Sequence, residues 1–409
     1  MPKKYLLPLL SVLLLASLSA CEDYLGERTD LDFIDIPPDN SIRQVAYVPI
    51  LPVLNQFDRP TDLTTGFDEL VYAVDAGREE VVAMDESGRI LARRKVPGAT
   101  SVAQDRKFDL LVVGTKDTLY QAGGRDTLLT LSCIYRLRMI NGDGYNLADA
   151  EVVNQVIHPF YYTQSNPIDK TVDQVRFQNI AVIGDNQDPQ GNNQYYVTRS
   201  GAGSSGPLGP NDAVLYFNNQ DQFISPISVN TSSGVFNDYF QQPSGIVTLT
   251  QPPQFTAQGG RDFIYTSTDP DNNLKVQYIQ FIEGQFGAQY EPRILASSDT
   301  TQADRFINEP NRFEKPVDIT LAGDGSQYIF VTDTRTDSLY QFSFNGYEGI
   351  LPPPASGIDR FVRASFGGTG SSPTQFRDPS AVAYFNEILY VADAGNGRIL
   401  RFKLTLDFE

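Results

Sequence analysis

Few side chains in this sequence can do proton or metal chemistry. Among 409 residues there is one histidine, His158, and there are two cysteines, Cys21 and Cys133. A zinc centre built from two or three imidazoles is therefore excluded. Nucleophilic catalysis of the Ser-His-Asp type would have to use His158, in Val156-Ile157-His158-Pro159-Phe160-Tyr161-Tyr162, and no G-x-S-x-G elbow accompanies it. With Tyr161 and Tyr162 beside it, His158 reads as part of a candidate binding loop. Two stretches cluster oxygen donors, Gly184-Asp185-Asn186-Gln187-Asp188 and Asp269-Pro270-Asp271-Asn272-Asn273. Neither has the D-x-[DN]-x-[DN]-G spacing of a calcium loop, so both read as solvated hairpin tips. No cofactor is expected, calcium being the one ion left open.

The densest polar motif is LYVADAGNGRILRF, Leu389–Phe402, which sets Asp393, Asn396 and Arg398 among glycines between two apolar runs. An Asp at the start of a tight turn accepts backbone N–H bonds, and Gly and Asn tolerate positive φ. Asp75 and Asp333 stand in comparable corners, YAVDAGREEVVAM and FVTDTRTDSLYQF. All three aspartates read as structural turn residues, because a residue repeated with a motif usually serves the motif.

Those corners belong to a repeat. Phe-x-x-Pro recurs at Phe57–Pro60, Phe240–Pro243, Phe313–Pro316 and Phe376–Pro379, each followed by a short apolar run and then a more strongly apolar one. In each unit an acid at the end of the second run, Asp75, Asp269, Asp333 or Asp393, lies nine residues before a large apolar residue, Met84, Tyr278, Phe342 or Phe402. Two degenerate units are expected in the first long gap, from Pro97 and from near Phe177. The count is six, or seven if 132–160 forms a unit of its own. Period-two alternation rich in Tyr, Phe, Val and Ile, with 26 Pro and 32 Gly, argues for an all-β array. The last unit ends one strand short of four, so Ile42–Ile50 is expected to close the ring as its outer strand.

Phe366-Gly367-Gly368-Thr369-Gly370 through Gln375-Phe376-Arg377-Asp378-Pro379 and on to VADAGNGRILRF resembles an NHL repeat. The resemblance implies a six-bladed NHL-like β-propeller, with four antiparallel strands per blade, over residues 41–409. NHL-like peptidylglycine-amidating lyases depend on several zinc-ligating histidines, which this chain lacks. Six-bladed lactonases place Glu, Asn and Asp around a central metal, and that arrangement stays open as the enzymatic alternative.

Residues 1–20 read as a signal peptide: Lys3 and Lys4 precede an apolar run, Tyr5 to Leu18, too short to span a bilayer comfortably. Leu18-Ser19-Ala20-Cys21 resembles a bacterial lipobox, which implies acylation of Cys21 and membrane attachment through its acyl chains. Residues 21–40 then form an acidic tether, similar to those of surface-exported lipoproteins in the Bacteroidetes. Loss of Lys3 and Lys4 takes the net charge from −18 to −20, which argues against nucleic acid as a partner. The expectation is a lipoprotein of the cell envelope, at the outer membrane and on either of its faces. Its β-propeller is expected to be a binding or scaffold module for an envelope protein, engaged through the propeller face or through insertions at Asn141–Gln174, Ser200–Asn211 and Asn345–Asp359. With no tryptophan, stacking on sugar rings would rest on Tyr and Phe.

Overall fold

Each Phe-x-x-Pro unit starts a blade because of what its residues do locally. The phenylalanine is buried in every copy, at Phe57, Phe240, Phe313 and Phe376. The proline opens the innermost strand, where a missing N–H is tolerated. The second strand follows with no polar alternation: Val71–Asp75, Phe263–Ser267 and Ile329–Asp333 are buried at every residue. Such a strand lies in mid-sheet with apolar neighbours on both faces.

The computed structural model describes residues 46–407 except 123–124, 143, 158–174, 185–191, 202–211, 254–259, 285–286 and 296–298. Six sheets stand in a ring, antiparallel except where Val229–Thr231 pairs parallel with Gly287–Arg293. Blade one is Pro60–Thr65, Val71–Asp75, Glu80–Met84 and Ile90–Lys95; blade two is Ser101–Gln104, Leu110–Ala122, Arg125–Arg138 and Glu151–Ile157. Blade three is Arg176–Val182, Tyr195–Ser200, Ala213–Phe217 and Phe223–Pro226. Blade four is Pro243–Thr248, Phe263–Ser267, Val276–Gly284 and Gly287–Arg293, extended outward by Val229–Thr231 and Gly234–Phe236. Blade five is Pro316–Leu321, Ile329–Asp333, Ser338–Phe342 and Phe366–Gly367. Blade six is Pro379–Phe385, Ile388–Asp393 and Arg398–Leu404, completed by Tyr47–Leu54 from the other end of the chain. The fold is a six-bladed β-propeller.

Three details of the expected repeat change. No seventh blade forms from 132–160, because Arg125–Arg138 and Glu151–Ile157 are the third and outer strands of blade two. The insertion expected over Asn141–Gln174 therefore contains a blade strand. In blade four the residue facing the repeat proline is Ser267, paired with Pro243 as Asp75 is with Pro60, Asp333 with Pro316 and Asp393 with Pro379. Asp269 lies beyond the strand, in a longer turn, and Phe263 pairs with Ile279 rather than Tyr278. The nine-residue spacing in that unit was a coincidence of a lengthened corner.

The core is a succession of apolar layers between blades. Leu63, Val71, Ala73 and Met84 of blade one meet Ala381, Phe385, Tyr390 and Ile399 of blade six. Comparable layers join each of the other neighbouring pairs. Cys133 fills one of them as a fully buried free thiol, its ionisation pushed up to about 12 by burial.

Closure follows the expected route over the part of Ile42–Ile50 that is described, and the strand runs on to Leu54. Tyr47–Leu54 pairs antiparallel with Arg398–Leu404, Tyr47 opposite Leu404 and Ile50 opposite Arg401. Thr405 donates its N–H to Ala46 O at 2.8 Å, and Ala46 N–H donates to Thr405 Oγ1 at 3.1 Å. Tyr47 stacks on Phe366, with ring centroids 5.6 Å apart. Deleting residues 46–54 should expose the Arg398–Leu404 edge and lower the melting temperature by at least about 10 °C in a circular-dichroism scan. A truncated chain that melts with the parent would contradict closure by this strand.

Candidate functional site

The innermost strands wall a central channel, and the residue two positions after the repeat proline sets its polarity. In blades one and five that residue is Asp62 and Asp318; the matching positions are Asn179 in blade three, Gly245 in blade four and Ala381 in blade six. Asp62, Asn179 and Asp318 line one small cavity of about 50 Å³, together with Phe67, Gln104 and Pro252.

Each carboxylate reaches from its own blade to the next. Asp62 accepts Val102 N–H at 2.7 Å and its neighbour Leu63 N–H at 2.9 Å. Asp318 accepts Val382 N–H at 2.9 Å and Asn179 Nδ2 at 3.3 Å. Hydroxyls beside them repeat the device: Thr61 donates to Thr100 O, Ser244 to Pro316 O and Ser380 to Pro60 O, the last at 2.8 Å across the closing seam. At Gly245 an added Cβ would lie 2.7 Å from Asp318 Cα, so only glycine lets blades four and five approach this closely.

The channel holds these acids in their neutral form more readily than water does. Burial pushes Asp62 up to about 6, against the pull of the Val102 and Leu63 amides. Burial, and then the charge of Asp62, push Asp318 well above the ordinary carboxylate range. Two carboxyls in one narrow, poorly hydrated space do not both ionise easily.

The corner aspartates are fully buried and grip the linkers. Asp75 accepts the Asp58 and Arg59 amides, both at 2.9 Å. Asp333 accepts the Glu314 and Lys315 amides at 2.7 and 3.0 Å, and those of Arg335 and Thr336 in its own turn. Asp393 accepts Arg377 N–H at 2.7 Å, Asn396 Nδ2 at 2.8 Å and Arg398 Nε at 2.7 Å. In blades one and five the grip covers both middle residues of Phe-x-x-Pro; in blade six Asp393 takes Arg377 and Asp337 of the preceding blade takes the Asp378 amide at 2.8 Å. In blade four it passes to Asp212 of the preceding blade, which accepts Gln242 N–H at 2.9 Å. The corner beside Asp393 closes at Gly397, whose φ of +63° is left-handed.

Other expected site residues stand apart from the channel or outside the structure. Cys21, His158, Tyr161, Tyr162 and the Asp185–Asp188 cluster lie outside the described residues. The 269–273 cluster is a turn bonded to itself, with Asp271 N–H on Asp269 Oδ1 and Leu274 N–H on Asn272 Oδ1. Sequence reading passed over Asp62, Asn179 and Asp318. The signal was an acid inside an otherwise buried inner strand, PTDLTT and PVDITL.

No protein-family model matches the chain, and no curated protein matches it in sequence. Solved structures do share its fold. A PQQ-bound aldose sugar dehydrogenase from Streptomyces coelicolor aligns at TM-score 0.50 and 12% identity, over 88% of this chain and 98% of its own. A calcium-binding regucalcin from Agrobacterium tumefaciens aligns at TM-score 0.49 and 9% identity, over 88% and 94%. A Bacteroides thetaiotaomicron protein of unknown function aligns at TM-score 0.47 and 13% identity, over 88% and 72%. At these identities the likeness is one of fold.

Two substitutions separate the roles of these acids. Asp393→Ala takes the carboxylate from Arg398 Nε and from the Arg377 amide, leaving the buried guanidinium only backbone carbonyls, and should destabilise the chain by about 3–5 kcal/mol in urea unfolding. Asp62 ionises near 3.8 when unfolded and near 6 when folded. Its raised value contributes stability that is whole below about pH 4 and is lost as pH rises through 6. Between pH 7.5 and 4.5, wild type should gain about 2 kcal/mol relative to Asp62→Asn in urea midpoints. A pH-independent difference would show that Asp62 is ionised in the folded channel.

Proposed function

We propose that the chain is a bacterial lipoprotein of the cell envelope whose NHL-like propeller works as a protein-binding or scaffold module, tethered at the outer membrane through acylated Cys21. The observation that carries the binding role is the state of the channel. Its inward polar groups bond neighbouring blades to one another, and the remaining cavity of about 50 Å³ is far below the roughly 300–1,000 Å³ of small-molecule sites. Among the described residues that cavity is too small to enclose an organic substrate whole. Recognition then falls to loops and blade edges, where insertions carry specificity. The tether supports the same reading, since two or three acyl chains hold a protein at a membrane without a spanning helix.

A second reading, an envelope hydrolase or lactonase-like enzyme with an oxygen-ligated metal in the channel, is favoured by one observation. Asp62, Asn179 and Asp318 converge there, and carboxylate oxygens that accept one N–H keep a lone pair. Calcium takes six to eight oxygens, so water would supply most of its ligands.

Two measurements test these readings. Cells fed an alkyne fatty acid should label the wild-type chain, while Cys21→Ala should lose both the label and membrane fractionation. Millimolar calcium or a chelator should leave the melting temperature of purified protein unchanged. A calcium-dependent rise that vanishes in Asp318→Asn would favour the enzyme instead.

A further inference from the structure

Between blades two and three lies a cleft of about 470 Å³, distinct from the channel and large enough for a small organic ligand. Its floor is ionic. Arg136, buried, holds Asp221 through Nε and Nη2 at 2.9 and 2.7 Å, reaches Asp105 through Nη1, and touches Asp109 Oδ2 at 3.3 Å. Asp221 is saturated, because Asn154 Nδ2 donates to it at 2.8 Å and Tyr195 OH at 3.2 Å.

One guanidinium thus serves three carboxylates, and the shortage falls on Asp109. Its side chain has that single long bond from Arg136 among the described residues, although it is 7% exposed and lines the cleft. Burial, and then the nearby Asp105 charge, raise its ionisation, with Arg136 and Arg138 only partly offsetting them. A cation delivered into the cleft would meet an under-compensated carboxylate. The rim has the opposite sign. Lys107 and Arg138 are exposed there, and Ile140 and Val153 supply a small apolar wall. A negative floor and a positive rim in one cleft are complementary to a ligand that carries both an ammonium and a carboxylate, with a small side chain.

We propose that this cleft binds a free α-amino acid, its ammonium against Asp109 and its carboxylate between Lys107 and Arg138. The site is independent of the scaffold reading, since no residue of it lies in the channel or in the tether.

Calorimetric titration of the full chain with L-alanine, N-acetyl-L-alanine and L-alaninamide tests the assignment. L-alanine should bind in the millimolar range or tighter, and each blocked analogue about tenfold more weakly or worse, because each removes one charge-assisted contact. Asp109→Asn should weaken L-alanine about tenfold. Lys107→Gln with Arg138→Gln, both exposed and harmless to the core, should erase the preference over L-alaninamide. Absence of heat with L-alanine, equal binding of all three probes, or an unaltered Lys107→Gln/Arg138→Gln variant would overturn the proposal. Tighter binding of L-alanyl-L-alanine would overturn it in favour of a peptide terminus.

Discussion

Everything in this propeller depends on second strands that are buried on both faces. Val71–Asp75, Phe263–Ser267 and Ile329–Asp333 have no face that water could cover, so a single blade would leave two apolar surfaces exposed. Each blade needs a neighbour on both sides, and only a closed ring supplies one for all six. The pairing of Tyr47–Leu54 with Arg398–Leu404 completes the blade on which two of those apolar layers rest, those with blades five and one. Covering that blade's outer edge also removes a template for pairing with other chains.

Ring closure fixes what the polar residues must do. Linkers between blades are irregular backbone held against a packed interior, and their amides need partners. Asp75, Asp333 and Asp393 provide them, each buried beneath the Phe-x-x-Pro segment that leads into its own blade. On the channel side, Asp62 and Asp318 do the same for the innermost strand of the following blade. The two sets differ in their partners. Asp393 meets the Arg398 guanidinium at 2.7 Å, whereas Asp62 accepts backbone amides, and burial raises its ionisation.

Much of this was legible in the sequence because the repeat is written in turn chemistry. Six unit starts near residues 60, 97, 177, 243, 316 and 379 match the six innermost strands, and the outer strand from the chain's beginning sits where a missing fourth strand required it. Legibility failed where spacing was trusted over register. Asp269 occupies the right distance from Tyr278, yet Ser267 holds the structural position, because the blade-four corner is longer. It failed again in the channel, since an acid in a buried strand looks like a flaw in an apolar pattern. Only the structure shows that such an acid meets the amide of an adjacent blade. The cleft between blades two and three was illegible for a related reason: Asp105, Asp109, Arg136 and Asp221 are separated in sequence by up to 116 positions and meet only through blade packing.

That cleft also differs energetically from the interfaces around it. A buried ionic network gains little over apolar side chains of similar volume, because desolvating each charge offsets most of the attraction. The seam between blades one and six is closed by apolar packing and a few hydrogen bonds, among them Ser380 Oγ to Pro60 O, Tyr390 OH to Glu86 O and Asn386 Nδ2 to Glu86 Oε2. Stability alone therefore gives no reason for one arginine to be shared among three carboxylates, one of them left short of charge at the wall of a cavity. A channel whose donors and acceptors already bind blade to blade is committed to structure, whereas a carboxylate with unmet charge beside open volume remains available to a ligand. The two places thus differ in what their charged groups already meet, the axis in bonds from blade to blade and the seam in a carboxylate with one long bond among the described residues.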